Sequence, residues 1–373
     1  MQSGPTKITI VAGARPNFMK IAPIIREFKK HEDIFDWSLV HTGQHYDHDM
    51  SDVFFEELGI PQPNFHMGAG GGSHAEQTAR IMMSFEQYCV EHQPKLVLVV
   101  GDVNSTLACS VVAKKLNIKV AHVEAGLRSG DMTMPEEINR IVTDSISDYF
   151  FVTERSGVEN LRREGHAESK IHFVGHVMID NLYFQLSQLE RMAQLNFDSS
   201  FLKDKLGAYG IVTLHRPATV DSRDVLAGVM SALDNIAARL PLIFPVHPRT
   251  RGSLERFGIS SNPNVHLMPP LPYMEFLNLW KDSKLVLTDS GGLQEETTAL
   301  GIPCITLRDN TERPITVEEG SNRVVGTDPA MILRAANAAL NSSEARETAR
   351  PALWDGRAAE RITAILDEAL RGT

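Results

Sequence analysis

The stretch Ile8-Thr-Ile-Val-Ala-Gly-Ala-Arg-Pro-Asn-Phe-Met-Lys20 decides the fold class of this chain. Its first five residues are mostly apolar and β-branched, which is typical of a buried strand. The glycine suits a tight turn, and the proline suits the first turn of a helix. Apolar residues then recur at helical spacing, at Ile21, Ile24, Ile25 and Phe28. The stretch therefore predicts a strand that is followed at once by a helix.

The same alternation continues along the first half of the chain. A long helix is predicted at 75–92, and further strands are predicted at 37–41, 96–100, 120–123, 149–152 and 171–174. Strands that are apolar on both faces and joined by helices indicate a parallel sheet covered on both sides. The glycine-rich run Gly68–Ser73 follows no predicted strand, and we interpret it as a flexible loop.

The alternation pauses between about residues 180 and 206, where the sequence is polar and helical, and then resumes. Strands are predicted there at 210–214, 242–246, 265–267, 285–288 and 304–307. We therefore predict an α/β fold with two doubly wound, Rossmann-like domains that face each other across a cleft, with ligands at the carboxyl ends of the strands. The predicted segments are an N-terminal Rossmann-like domain (1–180), a helical linker (181–206), a C-terminal Rossmann-like domain (207–355) and a C-terminal helix that packs back on the N-terminal domain (356–373).

Composition excludes several classes of protein. The 373 residues are 42% hydrophobic, and their net charge of -10 argues against general affinity for nucleic acid. No apolar run reaches the roughly 18 residues that span a membrane, and no secretory leader is visible, so we expect a cytoplasmic protein without a membrane partner. The three widely spaced cysteines, Cys89, Cys109 and Cys304, are predicted to be core residues.

Two cations follow the first strand. Arg15 and Lys20 flank the predicted start of a helix, and a helix N-terminus with two cations suits an anion. The alternative is that both are solvated charges on a surface helix. The segment is neither G-x-G-x-x-G nor a Walker loop, so it lacks the dinucleotide and NTPase fingerprints.

Three acids occupy equivalent places after successive strands or at a helix start. They are Asp102 in Gly-Asp-Val-Asn-Ser-Thr, Glu124 in His-Val-Glu-Ala-Gly-Leu-Arg and Glu136 in Pro-Glu-Glu-Ile-Asn-Arg. Asp102 alone is more often a helix cap, and the polar residues after it suit capping. Converging carboxylates without metal-ligand spacing favour proton transfer or oxocarbenium stabilisation, and a divalent-metal site is the competing interpretation.

The second half has its own polar groups after strands. His215 and His247 each follow a strand, where a histidine is often only a satisfied polar group. The segment Thr288-Asp-Ser-Gly-Gly292 runs from a strand into a helix, so its backbone amides can approach a diphosphate. Glu296, one turn into that helix, suits two vicinal ribose hydroxyls, and Arg313 offers a further cation.

Taken in order from Arg15 to about Gly326, these motifs closely resemble those of the non-hydrolysing UDP-N-acetylglucosamine 2-epimerases. The resemblance implies a fold like that of two-domain GT-B glycosyltransferases and a homodimer. It also implies reversible conversion of UDP-GlcNAc to UDP-ManNAc for cell-surface polysaccharide precursors. In the family, UDP leaves C1 as the C2 proton is removed, and it adds back to 2-acetamidoglucal. That scheme requires neither NAD nor metal, so no cofactor is expected.

The resemblance also assigns residues by motif position. It implies a catalytic cluster of Asp102, Glu124, Glu136 and His215. It implies that the nucleotide sugar is held by Arg15, Lys20, Ser290, Gly291, Gly292, Glu296 and Arg313, with Leu271 and Phe276 at the uracil, and we add His247 to this set.

The chain departs from the family pattern at three places. Many bacterial members have His-Arg-Arg-Glu and Gln-His-Arg at positions linked to allosteric binding of a second UDP-GlcNAc. Here the sequences are His215-Arg-Pro-Ala218 and Gln44-His-Tyr-Asp47, which argues against that site. Ile315 replaces the commoner glutamate after Thr-Glu-Arg-Pro and resembles relatives that act on UDP-diacetamido-uronic acids. The alternatives are such an epimerase, a hydrolysing epimerase, a GT-B glycosyltransferase or a non-enzymatic sugar-nucleotide sensor.

Overall fold

The structure is a computed structural model, and it describes residues 4–44, 52–191, 197–341 and 350–371. The chain forms two compact units. Unit 1 comprises Met1–Asn181 and Ala352–Thr373, and unit 2 comprises Leu182–Pro351. In the described ranges, no helix combines the length and the apolar character needed to cross a membrane. Strands and helices alternate in both units, as the apolar runs predict.

Unit 1 is built on a parallel sheet of seven strands among its described residues. The strands are β1 (Thr6–Ala12), β2 (Phe35–His41), β3 (Phe65–His66), β4 (Leu96–Val100), β5 (Lys119–Val123), β6 (Tyr149–Val152) and β7 (Ile171–Phe173), in the spatial order 3-2-1-4-5-6-7. The intervening helices are α1 (Arg15–Phe28), α2 (Asp52–Leu58), α3 (His74–His92), α4 (Asn104–Lys115), α5 (Pro135–Ile146) and α6 (Arg155–Arg163), and α7 (Val177–Arg191) continues into unit 2. The order reverses direction beside β1 and β4, so the strand ends that carry the polar motifs lie at the switch point.

The unit 1 sheet is held by burial on both faces. Every residue of β4 is buried, because helices cover the sheet on each side. α1 contributes one apolar face, with Phe18, Ile21 and Ile25 fully buried. α3 begins with a capping box in which Ser73 and Glu76 exchange hydrogen bonds. The three cysteines of the chain are free and buried, which confirms their prediction as core residues.

The C-terminal helix belongs to unit 1. It is the last helix of the chain, α16 (Ala358–Leu370), which packs on α1 and buries Ile362 and Leu366 in the same core. Asp180 accepts hydrogen bonds from the amides of Ala358 and Ala359, at 3.1 and 2.7 Å, and so satisfies the start of this helix. Burial raises the pKa of Asp180 to about 6.

Unit 2 repeats the design with a parallel sheet of six strands in its described part, in the order 10-9-8-11-12-13. The strands are β8 (Gly210–Thr213), β9 (Leu242–Pro245), β10 (Val265–Met268), β11 (Leu285–Thr288), β12 (Cys304–Thr306) and β13 (Asn322–Val324). The helices are α8 (Asp198–Leu206), α9 (Pro217–Val220), α10 (Arg223–Ala237), α11 (Pro248–Phe257), α12 (Tyr273–Trp280), α13 (Gly291–Leu300), α14 (Ile315–Glu318) and α15 (Pro329–Asn341). β8 and β11, whose ends carry the histidine and glycine motifs, are neighbours in this sheet.

Two expectations about local structure are wrong, and two short strands were not predicted. The glycine-rich run does follow a strand, since β3 ends at His66, two positions before Gly68, and two residues are too few to show strand periodicity. Neither β3 nor β13 was predicted, and β13 differs from the predicted strands of equal length because two of its three residues, Asn322 and Arg323, are polar. The polar residues after Asp102 do not cap α4, because the cap position is Val103 and has no side-chain hydrogen bond.

Candidate active site

In unit 1, α5 holds Asp102 by both its backbone and its side chain. Asn139 Nδ2 donates to the Asp102 carbonyl at 2.8 Å, and Arg140 Nη2 donates to Asp102 Oδ2 at 2.5 Å. The Asp102 side chain is about a quarter exposed. A carboxylate at the end of a buried strand is thus fixed beside a cation while one side stays open to solvent.

Glu124, after the neighbouring strand, pairs with Lys20 of α1. Its φ of 67° lies in the left-handed region, which residues with a side chain rarely adopt. Gly101 faces this pair. A Cβ at Gly101 would lie 3.2 Å from Lys20 Nζ and 3.4 Å from Glu124 Oε2. A side chain at Gly101, next to Asp102, would therefore crowd the Lys20–Glu124 pair.

Glu136 and Glu137, in the first turn of α5, have different surroundings. Glu136 is half-buried, and within the described residues it forms no ion pair. Glu137 is buried and accepts hydrogen bonds from the amides of Ser129 and Gly130 and from Arg140, at 2.9 to 3.0 Å. Burial alone would raise the pKa of Glu137, but these hydrogen bonds outweigh it and lower that pKa. Glu137 therefore anchors a loop, and Glu136 is the acid of this pair that is open to a ligand.

The loop between β1 and α1 is closed by its own side chains. Asn17 Oδ1 accepts the amide hydrogens of Gly13 and Ala14, at 3.1 and 2.9 Å, so these two amides already have a partner. Arg15, the first residue of α1, is exposed. Of the two cations that were predicted to meet an anion, Lys20 thus points to an acid of its own unit, and Arg15 lies at the surface.

In unit 2, the start of α13 is open. Ser290 takes the cap position, and its amide donates to Thr288 Oγ1 at 2.9 Å. A Cβ at Gly291 or Gly292 would meet no heavy atom of the described chain within 4 Å. Free space in front of a helix N-terminus is the geometry that suits a phosphate group.

Glu296 lies one turn further along α13. Tyr273 Oη donates to Glu296 Oε1 at 2.9 Å, and burial raises the pKa of Glu296 to about 7. Leu271 and Phe276, the residues expected at a uracil, are half-buried on either side of Tyr273 in the chain. The carboxylate and these two apolar side chains therefore come from neighbouring segments.

His215 is held by a buried aspartate. Its Nδ1 lies 2.9 Å from Asp289 Oδ1, while its side chain is 43% exposed. Asp289 also accepts the amide hydrogens of His215 and Arg216, both at 2.9 Å. Burial would raise the pKa of Asp289, but the hydrogen bonds from His215 and Arg216 lower it. Such a partner fixes the ring orientation and the proton on Nδ1, which leaves Nε2 for a ligand.

His247 lies between β9 and α11, and Arg313 lies in the segment between β12 and α14. The His247 ring centroid is 5.9 Å from that of His215, and His247 Nδ1 accepts the amide of Arg249 at the start of α11. Arg313 Nε lies 2.6 Å from Glu295 Oε1, so this predicted cation already has an acidic partner in its own unit.

Several residues of this region were not assigned from the sequence. Asp289 supports His215, Tyr273 supports Glu296, and Arg140 supports Asp102. Asp289 had a signal, because it is a carboxylate directly after a buried strand, as Asp102 is. Tyr273 and Arg140 gave no comparable signal, because the acids that they support lie 23 and 38 positions away in the chain.

Two further predictions bear on the site. Within the described ranges, no group of three or more His, Cys, Asp or Glu side chains is arranged to hold a metal ion. The motif 44–47 lies mostly outside the described residues. Gln44 itself is described, and its Oε1 accepts hydrogen bonds from the amide and the hydroxyl of Ser105, at 2.9 and 2.7 Å.

Two doubly wound parallel sheets with flanking helices place the chain in the class of GT-B-like α/β enzymes. The family model described as UDP-N-acetylglucosamine 2-epimerase matches residues 26–367. A Methanocaldococcus jannaschii protein named UDP-N-acetylglucosamine 2-epimerase is 42% identical over 96% of this chain and 98% of its own length. The chain therefore belongs to the UDP-N-acetylglucosamine 2-epimerase family, and it is an isomerase.

Two other comparisons bear on substrates. A Pseudomonas aeruginosa protein named UDP-2,3-diacetamido-2,3-dideoxy-D-glucuronate 2-epimerase is 40% identical over 90% of this chain and 92% of its own. The crystal structure of the M. jannaschii UDP-GlcNAc 2-epimerase in complex with UDP-GlcNAc and UDP has a TM-score of 0.78 and 41% identity. It covers 97% of this chain and 100% of that one.

Proposed function

We propose that this protein interconverts UDP-GlcNAc and UDP-ManNAc by inverting C2 of the sugar. The observation that carries the proposal is the cluster of Asp102 and Glu124 with Arg140 and Lys20 at adjoining strand ends of unit 1. The names of the relatives, at about 40% identity over nearly the whole chain, support the same substrate.

Unit 2 supplies the nucleotide-binding part of the proposal. The open start of α13 at Ser290–Gly292 suits a diphosphate, because backbone amides can reach the phosphate oxygens. Glu296 would accept the two ribose hydroxyls, and Leu271 and Phe276 would contact the uracil. Arg15, His247 and Arg313 complete the proposed set around the nucleotide sugar.

The chemistry follows from the substrate. The C2 hydrogen has no neighbouring carbonyl to acidify it, so direct deprotonation would be prohibitively slow. In the proposed route the C2–H bond breaks and its proton passes to a carboxylate, while the C1–O bond breaks and UDP leaves with that electron pair. A C1=C2 double bond forms, which gives 2-acetamidoglucal. UDP then adds back to C1 as C2 is protonated on its opposite face.

The acids are suited to this route because their surroundings differ. Asp102 and Glu124 each face a cation, whereas Glu136 is half-buried at a helix start. Different surroundings are what separate proton-accepting and proton-donating roles require. His215, fixed by Asp289, is the fourth proposed catalytic group. Dimer formation and a role in cell-surface polysaccharide synthesis, which the resemblance implies, stay predictions.

The residue at position 315 favours a second candidate substrate. Ile315 is buried at the start of α14, where the commoner family residue is glutamate. The P. aeruginosa relative carries the name of a UDP-diacetamido-glucuronate epimerase. A UDP-2,3-diacetamido-uronic acid is therefore the second candidate, with the same reaction at C2.

Exchange of the C2 hydrogen tests both candidates. Incubation with UDP-GlcNAc in deuterated buffer should place deuterium at C2 of both epimers, as seen by NMR and mass spectrometry. A parallel incubation with the diacetamido-uronate identifies the preferred sugar. Failure to exchange with every UDP-sugar tried contradicts the proposal, and release of free sugar in step with UDP would instead indicate a hydrolysing enzyme.

A further inference from the structure

A cluster of buried charged side chains is hydrogen-bonded to the backbone close to Asp102 and Glu124. The proposed reaction does not use it. Its centre is His122 of β5, which has no solvent exposure. His122 Nδ1 lies 2.6 Å from Asp144 Oδ1, and His122 Nε2 lies 2.9 Å from the carbonyl oxygen of Gly101. A carbonyl oxygen can only accept, so the proton on that side belongs to Nε2.

The surroundings of Asp144 place a proton on the other ring nitrogen as well. Asp144 Oδ2 accepts from Arg128 Nη2 at 2.7 Å and from the Gly126 amide at 3.0 Å. Burial would raise the pKa of Asp144, but its charged and hydrogen-bonding neighbours lower it, and among them the Arg128 guanidinium is always charged and by itself favours the ionised carboxylate. An ionised carboxylate only accepts, so Nδ1 donates too, and His122 is an imidazolium. Arg128 also pairs with Glu164, and the cluster is therefore neutral overall.

Each end of this cluster fixes the backbone next to one of the proposed catalytic acids. Gly101 precedes Asp102, and both of its backbone polar groups are held, because its amide donates to the Val123 carbonyl and its own carbonyl accepts from His122. Gly126 follows Glu124 by two residues, and its amide is held by Asp144. The left-handed conformation of Glu124 persists only if its surroundings impose it.

We propose that protonated His122 and Asp144 are a positioning pair that keeps Asp102 and Glu124 in the geometry needed for epimerisation. The proposal rests on the proposed function. Both residues act through the backbone of Gly101 and Gly126, and so they are positioning residues.

The charge on His122 is tested without any turnover. In ¹⁵N NMR spectra of the full-length protein at pH 8, the His122 ring should show two protonated nitrogens that exchange slowly with solvent, assigned by the loss of its signal in His122→Gln. In Asp144→Asn one of the two protons should be lost. An unprotonated ring nitrogen on His122 in the wild-type protein overturns the proposal.

The positioning role is tested by kinetics with a matched control. Asp144→Asn should lower kcat about 100-fold, the effect of a displacement near 1 Å, with KM and UDP affinity nearly unchanged. The control is Asp148→Asn, because Asp148 accepts from the Val120 amide and from Lys114 at the opposite end of β5, both at 2.8 Å. The control should keep the wild-type kcat.

His122→Gln is the second variant, since it keeps an N–H donor and removes the charge. It should lower kcat as Asp144→Asn does, in protein whose circular dichroism and melting temperature show that it is folded. Equal losses of kcat in Asp144→Asn and Asp148→Asn, or a wild-type kcat in both folded cluster variants, overturn the positioning role. If the wild-type protein turns over no UDP-sugar, the proposed function fails together with this role, whereas the charge on His122 is decided by NMR alone.

Discussion

The two units hold their proposed ligand-binding residues in different ways. In unit 1, Asp102 and Glu124 are paired with cations of the same unit, Arg140 and Lys20. In unit 2, Gly291 and Gly292 face open space, and Glu296 is a half-buried carboxyl whose described partner is a tyrosine hydroxyl. The same doubly wound design thus carries a fixed set of charges in one unit and a receptive surface in the other.

This difference indicates a division of labour. Charges that are fixed in advance stabilise a transition state without reorganisation, which is what proton transfer at carbon requires. An open helix start and a carboxyl with a raised pKa gain most when a ligand supplies the missing partners. We therefore expect changes at Asp102 and Glu124 of unit 1 to lower kcat, and changes at Gly291 and Glu296 of unit 2 to weaken nucleotide binding.

The largest expected effect comes from Glu124→Gln. The amide keeps the shape of the side chain but neither takes up a proton nor balances Lys20. We expect kcat to fall about 1,000-fold, within the range of a lost general acid or base. UDP affinity, measured by calorimetry, should not weaken. The measurement is the initial rate of epimerisation beside a UDP titration.

The control for this substitution is Glu86→Gln, on the exposed face of α3. It should leave both kcat and UDP affinity at their wild-type values. A Glu124→Gln protein that epimerises at the wild-type rate would remove Glu124 from the proposed mechanism. Loss of UDP binding in the same variant would contradict the division between the two units.

A pair of glycine substitutions sharpens the comparison. A Cβ at Gly13 of unit 1 would lie 2.2 Å from Ser105 Oγ, whereas a Cβ at Gly291 meets open space. Gly13→Ala should therefore lower the free energy of unfolding by about 1–3 kcal/mol, through overpacking. Gly291→Ala should leave the free energy of unfolding unchanged. It should weaken UDP binding about 10- to 100-fold, because the added methyl group keeps the phosphate from the backbone amides.

Gly252→Ala is the matched control, because Gly252 is also a helical glycine with open space at its Cβ position, and it has no proposed role. It should leave UDP affinity unchanged. Chemical denaturation and calorimetry measure the two quantities. Equal effects of the Gly13 and Gly291 substitutions on stability, or undiminished UDP affinity in Gly291→Ala, would contradict the contrast.

The sequence predicted the strands of both units well, because buried parallel strands are apolar on both faces and end at turn residues. It also placed Asp102 and Glu124 at strand ends. It did not predict what holds them, since Lys20 and Glu124 are 104 positions apart and Asp102 and Arg140 are 38 apart. Such pairs form only when the sheet brings distant loops together, and neither helical nor strand periodicity records them.

The smallest expected effect is a pH dependence of UDP affinity, which follows from the titration of Glu296 in unit 2. Its pKa of about 7 in the folded protein is above the ordinary value of a glutamate, so the ionised form is present above pH 7 and is lost as the pH falls. Ribose hydroxyls donate to the ionised form. UDP affinity should therefore rise about tenfold from pH 6 to pH 8, as expected for one group that titrates near the middle of this range.

The reference protein is Glu296→Gln. The UDP phosphate titrates in the same way with both proteins, so the ratio of the wild-type UDP affinity to the Glu296→Gln UDP affinity reports only the titration of the Glu296 carboxyl. That ratio should change with pH as the ionised fraction of Glu296 does.

The effect of the same pKa shift on the stability of the ligand-free protein has the opposite sign. A raised pKa stabilises the fold at pH values below the unfolded pKa, and this contribution disappears as the pH rises through 7. Denaturation of the ligand-free proteins should show wild type losing stability relative to Glu296→Gln between pH 5 and pH 8. A pH-independent affinity ratio would contradict the proposed contact with ribose, even if the stability difference is observed.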